Sequence, residues 1–159
     1  MTPRAILLKR LEHVLSELER SHHVPPPEAV RLIEERSLTI PVCIFSQNSL
    51  GPLEALVVYL RDEHAMTYAR IAQLLKRNPD PIGITYRNAR KKLIGPLKIR
   101  DCTHIPISVF QSDTLSIMEC LVRHLKEAQR MRYCDIARLL NRDDRTIWTL
   151  HKRGKAKRL

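Results

Sequence analysis

The chain contains an internal repeat, because a segment that starts at Ile40 recurs without a gap 65 residues later, starting at Ile105. Both copies open with Ile-Pro, and Phe45 of copy one aligns with Phe110 of copy two. The other matched positions of copy one are Leu50, Glu54, Leu56, Val57, Leu60, Met66, Tyr68, Ile71, Ala72, Leu74, Leu75, Arg77 and Ile82. Most of these positions are apolar and follow helical spacing, as expected when two copies keep the same packed core. The fold must therefore form one small helical core twice.

Each copy is predicted to contain an extended lead-in and three helices. Aromatic residues make up 4% of the chain and there are only four glycines, which favours an all-α fold over sandwiches or barrels. In copy one we expect a first helix ending near Asp62, a second over Tyr68–Lys76 and a third over Pro81–Leu93. In copy two we expect the first helix to end near Ala128, with the others over Tyr133–Leu140 and Arg145–Lys157.

Polar residues mark the starts of these helices. Ser116 and Glu119 match a capping box, whereas copy one has Gly51 followed by Pro52. Thr67 is the expected cap of the second helix of copy one. The expected caps of the third helices are Asp80 in copy one and Asp143 or Asp144 in copy two.

The predicted organisation is an N-terminal helical arm followed by two tandem three-helix helix-turn-helix domains. The arm covers 1–39, the first repeat 40–95, a linker 96–104 and the second repeat 105–159. Because Gly95-Pro96 is a linker signal, we expect the copies to be separate small domains.

The net charge of +11 lies in the repeats. The arm is neutral, with six Lys and Arg against six Asp and Glu, whereas residues 40–104 have ten against five and residues 105–159 twelve against six. Such a distribution favours a polyanionic partner for the repeats. It also indicates a different role for the arm.

The second and third helices of each copy are predicted to form a helix-turn-helix. This motif needs a small residue where the helices cross and an apolar residue about ten positions later. Ala72 with Ile82 and Ala137 with Ile147 meet this spacing. The turn favours a residue that tolerates positive φ, for which Asn141 is suitable and its counterpart Lys76 less so.

At these residues the chain resembles the helix-turn-helix of region 4 of bacterial sigma factors and related regulators. The likeness is carried by Tyr-x-x-Ile-Ala-x-Leu-Leu-x-Arg in both copies, by Thr146-Ile147 in copy two and by Asn88-Ala-Arg-Lys-Lys92 in copy one. It covers roughly residues 50–93 and 115–158. The resemblance implies double-stranded DNA binding and transcription regulation. An aromatic-rich promoter-melting segment is missing, so it does not imply a complete sigma factor.

The outer face of each third helix is the predicted DNA-reading surface, because a helix in the major groove presents such a face to base edges. The predicted DNA-binding residues are Arg77, Asp80, Gly83, Ile84, Arg87, Asn88, Arg90, Lys91, Arg142, Arg145, Thr146, Trp148, Thr149, Lys152, Arg153 and Lys155. Lys92 is expected to extend the basic flank of copy one, and the hydroxyls of Tyr68 and Tyr133 are candidates for phosphate contacts. Trp148 fits a domain interface as well as DNA.

The copies are not equivalent on this face, because Gly83 and Ile84 stand where copy two has Trp148 and Thr149. Our hypothesis is that copy two contributes more base readout, while copy one contributes phosphate contacts and register.

Other functions are less favoured by the sequence. No Gly-rich phosphate loop, HExxH motif or nucleophile elbow is present, so we expect neither an enzyme nor a cofactor. The four cysteines show no CxxC spacing and are interpreted as free thiols rather than metal ligands. A cytoplasmic, nucleoid-associated location is expected. The alternative function is a sigma-like or adaptor protein whose helical domains bind RNA polymerase or another protein.

The arm has two interpretations. Residues 3–20 are predicted to form a helix with a stripe of Leu8, Leu11, Leu15 and Leu18. The stripe covers only about two heptads, short for an independent coiled coil. It either packs against the first repeat or forms a homodimer.

Overall fold

The protein is mostly helical, which confirms the predicted all-α fold. The computed structural model describes residues 1–157, and within them the only sheet is a pair of three-residue strands. The last two residues of the predicted second repeat, 158 and 159, lie outside the described residues. No helix within residues 1–157 combines the length and apolar content needed to cross a bilayer. Two compact units are present, Met1–Leu38 and the chain from Thr39 onward.

The first unit consists of two helices that contact each other, α1 (Pro3–His22) and α2 (Pro26–Ser37). Thr2 caps α1 by accepting a hydrogen bond from the backbone N–H of Ala5, and His23 ends it in the left-handed conformation. No residue of α1 is buried, and in α2 only Ala29 is. This unit therefore has very little core of its own.

The second unit holds both copies of the repeat. Copy one consists of strand β1 (Thr39–Pro41), a 3₁₀ helix (Val42–Ser46) and helices α3 (Pro52–Asp62), α4 (Tyr68–Leu74) and α5 (Pro79–Lys92). Copy two consists of β2 (His104–Pro106), a 3₁₀ helix (Ile107–Phe110) and helices α6 (Ile117–Arg123), α7 (Tyr133–Leu140) and α8 (Asp144–Ala156). A π-helical turn (His124–Ala128) extends α6.

Most of the expected caps are present. The N–H of Glu119 donates to Ser116 Oγ at 3.2 Å while the carboxylate of Glu119 accepts from the Ser116 N–H at 3.0 Å, which completes the predicted capping box. Thr67 caps α4 and Asp143 caps α8. The prediction for α5 was wrong, because the helix begins at Pro79 and Asp80 lies inside its first turn.

The copies are not the separate small domains that we expected. β1 and β2 pair with each other in antiparallel register, and the rings of Phe45 and Phe110 lie 5.5 Å apart between their centroids. The 3₁₀ helix of copy one also contacts α7 of copy two. A three-residue strand cannot satisfy its backbone groups alone, so each lead-in pairs with the other.

The predicted linker is a packed part of the same unit. Leu97 is buried, and the carbonyl of Lys98 accepts a hydrogen bond from Gln47 Nε2 at 2.9 Å. The Cys102 thiol accepts from the backbone N–H of Cys43 at 3.3 Å. Gly95, at φ 80°, makes the turn after α5, but the segment that follows is held on copy one.

Candidate nucleic-acid interface

The turn before each third helix has the same geometry in the two copies. Lys76 and Asn141 both lie in the left-handed region at φ 53°. The next N–H, of Arg77 or Arg142, donates to the carbonyl of Ala72 or Ala137 at 2.8 and 2.9 Å. This is the bonding pattern of a Schellman helix end, which reverses the chain within a few residues. Asn suits the left-handed conformation, whereas Lys adopts it at a cost.

The predicted helix-crossing residues are all buried. Ala72 is 2% exposed and Ile82 1%, while Ala137 is 2% and Ile147 0%. α4 contacts α5 and α7 contacts α8. The small alanine side chains allow each third helix to approach closely, and this orients its opposite face outward.

An ion pair holds the C-terminal end of each third helix to the start of the first helix. Lys92 Nζ lies 2.9 Å from a carboxylate oxygen of Glu54, and Lys157 Nζ lies 2.8 Å from one of Glu119. Burial raises the pKa of the Glu119 carboxyl, but hydrogen bonds from Lys157 and the Ser116 N–H outweigh burial, so this pKa is lowered. The pKa of Glu54 is lowered by the equivalent bonds from Lys92 and Gly51, again against burial. Lys92 is therefore engaged within the fold instead of extending the basic flank.

A second polar link joins each third helix to the end of the first. In copy one the Tyr86 hydroxyl donates to Asp62 at 2.7 Å, and the Tyr86 ring packs against Tyr68. In copy two the buried His151 takes the place of Tyr86. One ring nitrogen of His151 lies 2.8 Å from the Tyr133 hydroxyl and the other 3.3 Å from Glu127.

The predicted phosphate contact of Tyr133 is therefore not available in this arrangement. Its hydroxyl is directed to His151 inside the domain, and Lys126 Nζ covers its ring at 4.3 Å from the centroid. Arg61 covers the ring of Tyr68 in the equivalent way, at 4.7 Å. Both tyrosines support the third helix from within.

The exposed face of α8 is basic and carries one large aromatic ring. Arg145, Lys152 and Arg153 are exposed, and Trp148 is 45% exposed. Lys152 Nζ lies 4.3 Å from the Trp148 ring centroid, a cation–π distance.

The Thr149 hydroxyl donates to the carbonyl of Arg145 at 2.8 Å, which leaves the methyl group of Thr149 for contact. Thr146 and Lys155 are exposed as well.

The exposed face of α5 has a different composition. Asp80, Arg87, Asn88 and Lys91 are exposed, and Ile84 is 52% exposed. Gly83, which we expected to face outward, is buried. A Cβ atom at this position would lie 3.5 Å from the Tyr68 ring, so the tyrosine covers the glycine.

Three predicted arginines have partners within the protein or lie between the copies. Arg77 is half-buried, and its guanidinium donates to the carbonyl of Leu115 in copy two at 3.4 Å. Arg90 lies 3.5 Å from Asp62 and donates to the Gly95 carbonyl at 3.2 Å. Arg142 is also half-buried, in a groove lined by both copies. These residues are poorer candidates for direct base contact than Arg87 and Arg145.

Two equivalent grooves lie between the copies, each beside the turn that precedes a third helix. One is lined by Asn48 and Pro52 of copy one together with Met118, Asn141, Arg142, Asp143, Thr146 and Leu150 of copy two. The other is lined by Asp113 of copy two together with Leu53, Lys76, Arg77, Asn78, Pro81 and Ile82 of copy one. The loop before the first helix of each copy therefore borders the turn of the other copy.

No protein-family model, curated protein or solved structure matches the chain.

The sequence did not indicate which residues the opposite copy adds beside each turn. Asn48 and Asp113 border the grooves, and they occupy equivalent positions of the repeat. Their equivalence was visible in the repeat alignment. Their place beside the other copy's turn follows only from the pairing of β1 with β2.

Proposed function

We propose that this protein binds double-stranded DNA through α5 and α8, as a sequence-specific transcription regulator. The observation that carries the proposal is that both copies hold a third helix behind a left-handed turn and expose a basic face. Arg87 and Lys91 in α5 and Arg145, Lys152 and Arg153 in α8 extend into solvent. Guanidinium groups bind guanine edges in the major groove, and both kinds of cation bind phosphates.

The burial of the opposite faces supports the same function. Ile82 and Ala89 anchor α5, while Ile147, His151 and Gly154 anchor α8. A reading helix needs such anchoring, because contacts with base edges require a rigid side-chain platform. Both third helices are held at their two ends, by the turn and by the glutamate–lysine pair.

A titration of random duplex DNA with the full chain tests the first part of the proposal. We expect binding at low salt that weakens as salt rises, by about 0.9 log unit of affinity per log unit of salt for each phosphate contact. Selection from a random duplex library should then enrich a defined sequence. Absence of binding at low salt would contradict the proposal and favour the alternative, a module that binds RNA polymerase or another protein.

We also propose that the Met1–Leu38 unit forms an antiparallel homodimer through α1. Leu7, Leu8, Leu11 and Val14 lie on one side of α1 and are each between 46% and 63% exposed. A unit of about 40 residues with so little core usually needs association with another chain to be stable. The partner that fits is a second copy, because residues 3–10 of α1 carry Arg4, Lys9 and Arg10 with no acid, whereas residues 11–19 carry Glu12, Glu17 and Glu19 with no Lys or Arg before Arg20. Antiparallel pairing places these opposite charges against each other.

Sedimentation at micromolar concentration tests the dimer. We expect the wild-type chain to be dimeric and the Leu8→Glu, Leu11→Glu variant to be monomeric. Ser16→Glu is the matched control, since it adds a charge to α1 roughly 140° away from Leu11 around the helix axis. A monomeric wild-type chain, or a double variant that remains dimeric, would refute the proposal.

A further inference from the structure

We infer that one chain recognises an inverted repeat on DNA, although its two copies follow each other head to tail in the sequence. This inference rests on the proposed DNA binding and adds the symmetry of the site. It comes from the way the two copies pack, which gives them a local two-fold axis.

The strand register is the first evidence for this axis. Ile40 lies opposite Ile105, its own equivalent in the repeat. On either side, Thr39 lies opposite Pro106 and Pro41 lies opposite His104. Since Pro41 and Pro106 are equivalent, as are Thr39 and His104, exchanging the copies leaves the pairing unchanged. That is the property of a two-fold axis through the central isoleucine pair.

Two contacts farther from the strands have the same property. Phe45 packs against Phe110, and α3 contacts α6. Each of these contacts joins a residue or helix to its own equivalent. In a head-to-tail arrangement, by contrast, a surface meets a different surface of the next copy.

The two-fold axis also exchanges the two grooves beside the turns. Asn48 of copy one lies in the groove beside Arg142 of copy two, and Asp113 of copy two lies in the groove beside Arg77 of copy one. These two pairings exchange under the same axis, which therefore extends to the elements that precede α5 and α8.

The axis relates α5 to α8, because each copy holds its third helix against its own core in the same way. The turns have equal φ values, and the glutamate–lysine pairs join equivalent positions. Helices related by a two-fold axis read half-sites of opposite orientation, and the symmetry of the DNA site mirrors that of the protein. The half-sites differ in sequence, because the exposed residues of α5 and α8 differ.

A variant of α5 allows a more decisive test of the inverted repeat. The exposed residues Asp80, Ile84, Arg87 and Asn88 of α5 correspond to Arg145, Thr149, Lys152 and Arg153 of α8. The substitutions Asp80→Arg, Ile84→Thr, Arg87→Lys and Asn88→Arg give α5 the side chains of α8 at these four positions. Gly83 stays unchanged, because a Cβ atom at this position would already be in van der Waals contact with the Tyr68 ring.

The wild-type chain and the quadruple variant are each used to select duplexes from a random library at one salt concentration. Both carry Leu8→Glu and Leu11→Glu, so that a symmetric site cannot come from two associated chains. The next step is a titration of duplexes that carry two copies of the α8 half-site. The two half-sites are placed in inverted or in direct orientation, with a series of spacings between them. We expect the quadruple variant to bind the best inverted duplex at least about tenfold more tightly than the best direct one.

Three outcomes separate the inference from the proposed function. An enriched inverted repeat, imperfect for the wild type and closer to symmetric for the variant, supports the inference. Enrichment of a direct repeat, or of a single half-site by both proteins, overturns it while leaving DNA binding intact. Failure of the wild type to bind any duplex at low salt overturns the proposed function, and the inference with it.

Discussion

Copy one and copy two differ most on the exposed face of the third helix. In α5 the Tyr68 ring covers Gly83 and Ile84 is exposed, whereas α8 exposes Trp148 and presents Thr149 at the position of Ile84. Asp80 stands where copy two has Arg145. Beneath these faces the turns, the glutamate–lysine pairs and the crossing alanines are the same. The two copies therefore share one scaffold and differ in the residues that this scaffold exposes.

The largest expected effect tests which copy reads sequence. We expect Arg145→Ala to weaken binding to the selected duplex about 10- to 100-fold and to relax the preference at one base position. Arg87→Ala is expected to weaken binding only a few-fold and equally for all sequences, since a phosphate contact carries no base information. Fluorescence anisotropy with selected and random duplexes measures both. An equal loss of specificity in the two variants would contradict the proposed difference between the copies.

The next prediction compares the two glutamate–lysine pairs. The Glu119 side chain is 5% exposed and that of Glu54 is 15% exposed. We expect Glu119→Gln to lower the free energy of unfolding by about 2 kcal/mol and Glu54→Gln by about 1 kcal/mol, since a hydrogen bond to a charged group is worth about 1.5–3 kcal/mol and less when exposed. Urea denaturation of the full chain measures both, and equal losses would show that burial does not separate the pairs.

The same carboxylates set a pH dependence with a definite sign. The pKa values of Glu119 and Glu54 are lowered in the folded state, so the unfolded chain takes up protons first as pH falls. Their contribution is present above the pKa of an unfolded glutamate, about 4.3, and is lost as pH falls through the lowered value. The free energy of unfolding should therefore fall less steeply between about pH 5 and pH 3 in Glu119→Gln than in the wild type. A steeper fall would contradict the assignment.

A smaller effect is expected from the histidine that replaces a tyrosine in copy two. His151→Phe leaves the Tyr133 hydroxyl without its 2.8 Å partner inside the domain, which should destabilise the fold by about 1–2 kcal/mol. Tyr86→Phe is the matched change in copy one. It should cost under about 1 kcal/mol, because Asp62 keeps Arg90 as a neighbour and is exposed to water. Thermal unfolding of both variants makes the comparison, and a larger loss for Tyr86→Phe would reverse it.

The smallest expected effect concerns the left-handed residue of each turn. Lys76→Asn should raise the free energy of unfolding by about 0.5–1 kcal/mol, because asparagine adopts positive φ at a lower cost. Asn141→Lys should lower it by a similar amount. Chemical denaturation of the pair would show whether the two turns are as equivalent as their φ values; a destabilised Lys76→Asn variant would show that lysine makes a compensating contact.

Much of the fold could be predicted from local patterns. Ser116 with Glu119, Thr67 and Asp143 act within their own helix starts, so their roles follow from spacing alone. Asp80 was misassigned because Asn78-Pro79 starts the helix earlier, and a proline at the first helical position competes with a later cap. Gly83 was placed on the outer face by angle, since a helical wheel contains no information about a ring that arrives from α4.

The candidate site was predicted in part. Arg87, Asn88, Lys91, Arg145, Lys152 and Arg153 are exposed on the expected helices. Lys92 and Arg90 instead pair with carboxylates at the two ends of α3, and Arg77 donates to the other copy. Charge counts along the sequence cannot separate a free cation from a paired one, because the partner lies on another element.

By itself, the amino-acid sequence determined the repeat, its helices, the turns that reverse the chain and the sign of the charge on the third helices. These features depend on residues within about one helical turn of each other and on apolar spacing. Only the tertiary structure decided how the copies are related. The pairing of Ile40 with Ile105 joins residues 65 positions apart. The alignment of copy one with copy two in the sequence is the same whether the copies pack head to tail or around a two-fold axis. The orientation of α5 relative to α8, and with it the symmetry of the proposed DNA site, therefore follows from that antiparallel pairing together with the equivalent packing of each third helix on its own copy.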